Sequence, residues 1–241
     1  MESQPVAEPS GVALVTGGSK GVGRAVALGL GAAGFPVAIL ARSPGALAET
    51  QALLEAEGVP CAVCVADVRN SDEVTSAVAA VEGRLGPISA VINNAGTSLA
   101  VGPLWDVDPL DWWTDVETSL GGAFNVCRSV VPAMMARGHG RILNVSSYAA
   151  LRAAPYQTGY GAAKAGLANL TESLAASLGP HGIRAFTLAP GFTHTGLTKQ
   201  LAESPEGQRW LPELSGRESL DPGRFVRLAV AVALGDRKSV V

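Results

Sequence analysis

Tyr160 and Lys164, in the stretch "YGAAK", stand four residues apart where a helical pattern running to Leu178 begins. At that spacing both side chains leave one helix face. A tyrosine hydroxyl, with an ordinary pKa of about 10, transfers protons poorly at neutral pH. A nearby ammonium stabilises phenolate and draws that value down, so the pair is a candidate proton donor and acceptor. The same spacing is common on solvated helices and gains meaning only from its companions. One companion is Ser147 in "NVSSYAA", a hydroxyl where a strand ends, which faces a ligand cleft or merely caps a turn. Another is "TGGSKGVGRA", in which Gly17, Gly21 and Gly23 follow an apolar run and open a helix. Glycine there lets the backbone approach a pyrophosphate while the helix N-terminus offers free N–H groups and partial positive charge. Tight packing of a strand-helix turn would account for the same glycines. The last is "VINNAGT", a strand end suited to close backbone approach.

The elements that must position these residues are apolar runs at Val12–Thr16, Pro36–Ala41, Val59–Ala66, Ile88–Asn93, Arg141–Ser146 and Ile183–Ala189. They are continuous rather than alternating, as strands buried on both faces are. Helical stretches lie between them. Ser43-Pro44 supplies a cap followed by proline, and Asn70 with Glu73 forms a capping box ahead of Val74, Val78 and Val81. Gly58 and Gly86 sit where left-handed C-caps are needed. Parallel strands require right-handed crossovers, so the alternation predicts a single α/β domain over 11–241: an open, doubly wound parallel sheet with helices on both faces. Ligands bind such sheets beyond the carboxyl ends of the strands.

Composition narrows the partners. Charged residues make up 16% of the 241 positions, below the usual share of roughly 25%, which suggests a homodimer or homotetramer interface. The net charge of −3 provides no basic field for nucleic acid. Residues 1–10 lack a signal-peptide pattern and read as a loose tail. The uncharged stretch 25–41 contains Gly29, Gly31, Gly34 and Pro36 and falls short of the ~20 residues that cross a membrane. Cys61, Cys64 and Cys127 cannot all pair, which suits a reducing, cytoplasmic setting. The "CAVC" spacing lies on a strand, where positions three apart face opposite ways, and His139, His181 and His194 show no ligand spacing, so no metal site is expected.

In the order in which they occur, these motifs resemble the short-chain dehydrogenase/reductase family from about Val12 to Leu234. The resemblance implies a Rossmann-like sheet of order 3-2-1-4-5-6, here without the family's seventh strand. It assigns the cofactor pyrophosphate to Gly17, Gly21 and Gly23, with Val22 contributing backbone, and counts Ser19 and Lys20 of the same loop among the cofactor-binding residues. The adenine edge falls to Asp67 and Val68, and the adenine-ribose side to Asn93, Ala95 and Gly96. Pro190, Gly191, Thr193 and Thr195 would meet the nicotinamide carboxamide and phosphates. Ser147 matches the substrate-orienting serine, Tyr160 the proton donor or acceptor, and Lys164 the residue that tunes it and grips the nicotinamide ribose.

One position departs from the family. "DVETSLGG" puts Ser119 where an asparagine normally completes a proton relay through water, and Asn125 lies too far round the helix to replace it. The chain end is also short, so either a closing segment is missing or the sixth strand is an edge. The second strand ends "ILARS", with Ala41 where an NAD-preferring protein usually carries an acid and Arg42 next to it. With Lys20 ahead of Gly21, this predicts NADP(H) over NAD(H). Residues 193–219 form an expected lid with an apolar underside of Leu197, Leu201, Trp210 and Leu211, pointing to a small hydrophobic carbonyl or alcohol substrate. Trp210 would equally suit an oligomer interface. The alternative function is a catalytically weak NADP-binding sensor or a non-catalytic subunit.

Overall fold

The computed structural model describes residues 9–193 and 196–235. Six parallel strands form one sheet in the order β3-β2-β1-β4-β5-β6. They are β1 (Val12–Thr16), β2 (Val37–Ala41), β3 (Cys61–Val65), β4 (Ile88–Asn93), β5 (Gly140–Val145) and β6 (Ile183–Leu188). All five residues of β1 are buried, which explains the unbroken apolar runs in the sequence. The expected order is therefore present. Strand ends shift by one or two residues; Pro36 and Pro60, for example, lie outside the ladder and give their carbonyls to the N–H groups of Ala13 and Val37.

Helices α1 (Gly21–Ala32), α2 (Pro44–Ala56) and α9 (Pro222–Leu234) cover one face. There Val26, Leu30, Leu47 and Leu54 pack with Phe225 and Val232 against Ala13, Val15 and Ile39 of the sheet. On the other face Val74, Val78 and Val81 of α3 (Ser71–Leu85) meet Val126, Val130 and Met134 of α5 (Gly122–Arg137) over Leu14, Leu40, Val91 and Ile142. Helix α6 (Thr158–Leu178) adds Leu178 to that layer. Cys61 belongs to the first cluster and Cys64 packs against the second, as the strand argument for "CAVC" requires. Both are free thiols, and no metal-binding group of side chains occurs among the described residues.

The start signals act as read. Asn70 Oδ1 accepts the N–H groups of Asp72 and Glu73 at 3.0 and 3.2 Å. Glu73 closes the box differently, taking the Asp67 N–H at 2.8 Å and so fixing the loop after β3. Helix α4 (Pro109–Val116) runs into α5 through a π turn over Glu117–Gly121, with Ser119 at its centre. Such turns are rare and concentrate at functional sites. After β6, α7 (Gly196–Glu203), α8 (Pro205–Trp210) and a 3₁₀ turn at Pro212–Leu214 make up the expected lid region. Within it, Leu201 and Leu211 bury against Val101, with Leu197, Trp210 and Leu214 packed around them. No helix among the described residues is long and apolar enough to cross a membrane.

Candidate active site

A cleft of about 970 Å³ opens beyond the carboxyl ends of the strands, and most of the residues singled out in the sequence line it. Gly17, Ser19, Lys20, Gly21 and Val22 come from the turn after β1, Arg42 from the end of β2, and Asp67 and Val68 from the end of β3. Ala95 and Gly96 follow β4, Ser147 follows β5, Tyr160 and Lys164 project from the first turns of α6, and Pro190, Gly191 and Thr193 follow β6. Thr195 lies outside the described residues.

Gly17 has φ +64°, and a β-carbon there would come within 2.8 Å of Asn94 Nδ2 and 3.1 Å of Ala95 Cα. Only glycine combines that backbone with that approach. Lys20 caps α1 with extended backbone and makes no side-chain capping bond, so among the described residues no side chain caps the first N–H groups of α1. Gly23 does not line the cleft. A β-carbon there would collide with the Gly17 carbonyl and Asn94, so this glycine serves close packing of helix on turn.

The turn is fixed from behind by Arg24, which the sequence reading passed over. Its guanidinium gives two hydrogen bonds to the Ser19 carbonyl, at 3.0 and 2.6 Å, and Thr50 Oγ1 of α2 adds a third at 3.1 Å. Arg24 also bonds Thr50 Oγ1 at 2.9 Å and Glu49 at 2.8 Å. The glycine turn is thereby tied to the helix that follows Arg42.

Asn93 requires a correction. Its side chain is buried, donating to Asn144 Oδ1 at 2.8 Å and towards Cys127 Sγ at 3.4 Å, inside the layer between sheet and α5. The next residue, Asn94, reaches the cleft. It donates to the carbonyls of Thr16 and Gly17 at 3.0 and 3.3 Å, while Thr16 Oγ1 accepts the N–H groups of Asn94 and Ala95. The two glycine-bearing loops are thus fastened to each other.

Asp67 lines the cleft but is gripped by Arg69, whose guanidinium lies 2.7 Å from Oδ2. The Arg69 hydrogen bonds hold its carboxyl below the usual range, outweighing burial. Lys20 and Arg42 are exposed cations without an ion-pair partner among the described residues. The Lys20 chain lies alongside Gly196 at the start of α7.

At the other end of the cleft, Lys164 is buried and donates to the Val145 carbonyl at 2.9 Å, with Nζ 5.6 Å from the centroid of the Tyr160 ring. Burial lowers its pKa to about 8. Ser147 plays both parts considered for it, accepting the Ala149 N–H at 3.2 Å as a turn cap and lining the cleft. The Tyr160 pKa runs against expectation. Burial raises it, the Ser147 hydroxyl draws it back, and the negative charge of Asp115 pushes it up again. The loss of water around the phenol is the largest of these influences.

Ser119 is 1% exposed, and its hydroxyl has no hydrogen-bond partner among the described residues. Its neighbour Thr118 lines the cleft. Asn125 is committed elsewhere, donating to the Val68 carbonyl at 2.9 Å, as its angular position on the helix implies. From the α7–α8 region, Leu197, Leu201, Leu211 and Leu214 face the cleft, whereas Trp210 packs on the Tyr156 ring at 4.9 Å.

Residues 11–206 match the family model for short chain dehydrogenases. The chain belongs to this family. As a short-chain dehydrogenase it is 37% identical over 199 residues to the gluconate 5-dehydrogenase of Gluconobacter oxydans (strain 621H), covering 83% of this chain and 77% of that one. It is 34% identical over 227 residues to the acetoacetyl-CoA reductase of Rhizobium meliloti (strain 1021), covering 94% and 92%. Among solved structures it resembles a gluconate 5-dehydrogenase from Burkholderia cenocepacia J2315 in complex with NADP and tartrate. That match has a TM-score of 0.82 and 32% identity, over 92% of this chain and 88% of that one. The short-chain dehydrogenase described here is accordingly an oxidoreductase acting on carbonyl and alcohol groups with a nicotinamide cofactor. The glycine turn, with its tight approach at Gly17 and uncapped N–H groups, suits the pyrophosphate of such a cofactor.

Proposed function

We propose that this enzyme uses NADP(H) to interconvert a carbonyl and a secondary alcohol on a small, apolar substrate, with Tyr160 handling the proton. The observation that carries the reading is the convergence of Tyr160, Ser147 and Lys164 in the cleft that begins at the glycine turn. Gly17, Gly21 and Val22 would hold the pyrophosphate with Ser19 beside them, Asp67 and Val68 the adenine, Ala95 and Gly96 the ribose side, and Pro190, Gly191 and Thr193 the nicotinamide end. When bound, the nicotinamide is the hydride donor in reduction and the hydride acceptor in oxidation.

The chain supplies the rest. Tyr160 Oη gives its proton to the carbonyl oxygen in reduction and takes one from the alcohol in oxidation. Ser147 donates a hydrogen bond to that same oxygen as charge develops on it. Lys164, oriented by the Val145 carbonyl, stabilises the phenolate that remains after proton transfer. Ser119, which with Lys164 flanks Gly96, would carry the proton path onward through a water in place of the family's usual asparagine. Specificity for NADP(H) rests on Arg42 and Lys20 and on the absence of a carboxylate at Ala41. The leucines under α7 and α8 favour an apolar substrate.

The second reading, a weakly active NADP-binding sensor or subunit, is favoured by Ser119 alone. The two separate in one experiment: purified protein, NADPH and a panel of ketones, followed by nicotinamide absorbance, with Tyr160→Phe as control. Turnover that Tyr160→Phe abolishes supports the enzyme. NADPH binding without turnover across the panel supports the sensor, and equal rates for both proteins would remove Tyr160 from the mechanism.

A further inference from the structure

Asp115 of α4 is completely buried, and among the described residues every hydrogen bond its carboxylate makes runs to one loop. The Leu99 N–H reaches both oxygens, at 2.8 and 3.0 Å, and the Ala100 N–H reaches Oδ2 at 3.1 Å. An unpaired buried carboxylate is strongly disfavoured, and these backbone donors are its compensation. The loop they hold is the stretch after β4. Its cofactor-side end, Asn94 and Ala95, is fastened separately to Thr16. The part held by Asp115 has different neighbours. Ser98 accepts Nε2 of Gln157 at 2.9 Å; both line the cleft, and Gln157 lies three residues before Tyr160. Val101, on the other side, packs against Leu201 and Leu211 under the lid.

We infer that Asp115 is a positioning residue for substrate: it sets the loop 97–102 as the wall between Tyr160 and the lid, fixing the Ser98–Gln157 pair and the seat of Leu201, without acting on the cofactor. The division follows from the two independent fastenings, Thr16 for the cofactor end and Asp115 for the substrate end. An acid on an otherwise amphipathic helix would normally face solvent, and this one is turned inward to serve a loop rather than a helix neighbour. The inference rests on the oxidoreductase reading for what the loop contacts.

The test compares wild type with Asp115→Asn, which is isosteric but keeps one acceptor oxygen, and Asp115→Ala. Amide hydrogen exchange over residues 97–102 is measured alongside NADPH affinity and, with a ketone that wild type reduces, substrate KM and kcat. Losing one charge-assisted hydrogen bond corresponds to roughly tenfold. Exchange in the loop should therefore quicken about tenfold in Asp115→Asn and more in Asp115→Ala. Substrate KM should rise by a similar factor while NADPH affinity stays within about twofold of wild type. Unchanged exchange, or NADPH affinity and substrate KM worsening together, overturns the assignment. Absence of turnover in wild type would defeat the oxidoreductase reading instead, and the exchange measurement would still decide whether Asp115 holds the loop. If Asp115→Ala does not fold, Asp115→Asn carries the comparison.

Discussion

Ser119 and Lys164 share the space over Gly96: a β-carbon placed on that glycine would lie 3.1 Å from Ser119 Oγ and 3.4 Å from Lys164 Nζ. The hydroxyl is buried without a partner among the described residues, which is unusual for a side-chain polar group. One water bonded to both atoms would satisfy the serine and continue the path from Tyr160. Ser119→Ala should then lower kcat about tenfold, the worth of one hydrogen bond in the relay, with cofactor affinity unchanged. Ser119→Asn restores the family's usual residue and should return at least wild-type kcat. Steady-state kinetics on the three proteins check this; identical kcat for Ser119→Ala and wild type removes Ser119 from the relay.

Much of this site was legible because it rests on short periods. Tyr160 and Lys164 are joined by a helical turn, and Gly17 and Gly21 have φ of +64° and +56°, which the glycine pattern anticipates. Long-range choices were not legible. Asn93 and Asn94 are adjacent and identical, and only the exit of β4 decides that the first turns inward to Asn144 and the second outward to Thr16. Arg24 and Asp115 carry charges on helices, where sequence logic assigns them to solvent; their partners Ser19 and Leu99 become visible only once the loops are placed. The Tyr160 pKa was misjudged for a related reason, since helical spacing reports the lysine but not the burial.

The cofactor preference divides unevenly between its two cations. Arg42 sits at the end of β2, where an acid would bind the ribose hydroxyls, whereas Lys20 runs towards Gly196. Arg42→Ala should therefore lower the NADPH/NADH ratio of kcat/KM by tenfold or more, in line with about 1.5–3 kcal/mol for a charged hydrogen bond. Lys20→Ala should lower it less and weaken both cofactors together. An unchanged ratio in the double variant would end the NADP(H) assignment.

A buried polar chain crosses the sheet below the site. Asn93 donates to Asn144, Asn144 Nδ2 donates to Thr171 Oγ1 at 2.8 Å, and Thr171 donates to the Leu167 carbonyl at 2.7 Å. Asn144→Ala strands a donor on one side and an acceptor on the other, at roughly 1–3 kcal/mol for each unsatisfied group. For a chain of this size each kcal/mol shifts Tm by about 2–4 °C. A fall in Tm of about 5–15 °C is expected. Asn125→Ala, at a half-buried position of α5 where the side chain bonds the Val68 carbonyl, should move it less.

Lys164 sets function against stability. Its folded pKa is about 8 against 10.5 in the unfolded chain, because burial penalises the ammonium. Between those values the unfolded state holds a proton that the native state has lost, so this lysine makes stability rise with pH from about 8 to 10.5. Below pH 8 the charged, buried form carries the full penalty, on the order of 3 kcal/mol, offset by the bond to Val145, worth about 1 kcal/mol. Lys164→Met keeps the length of the side chain and removes the charge. At pH 7 it should melt a few degrees above wild type while losing turnover. The gap should close as pH rises towards 10.5, where wild-type Lys164 becomes neutral in the unfolded chain as well. Paired melts of the two proteins across pH 7–10 isolate this residue from all other titrations, and a variant less stable than wild type at pH 7 would mean that the Val145 bond outweighs burial.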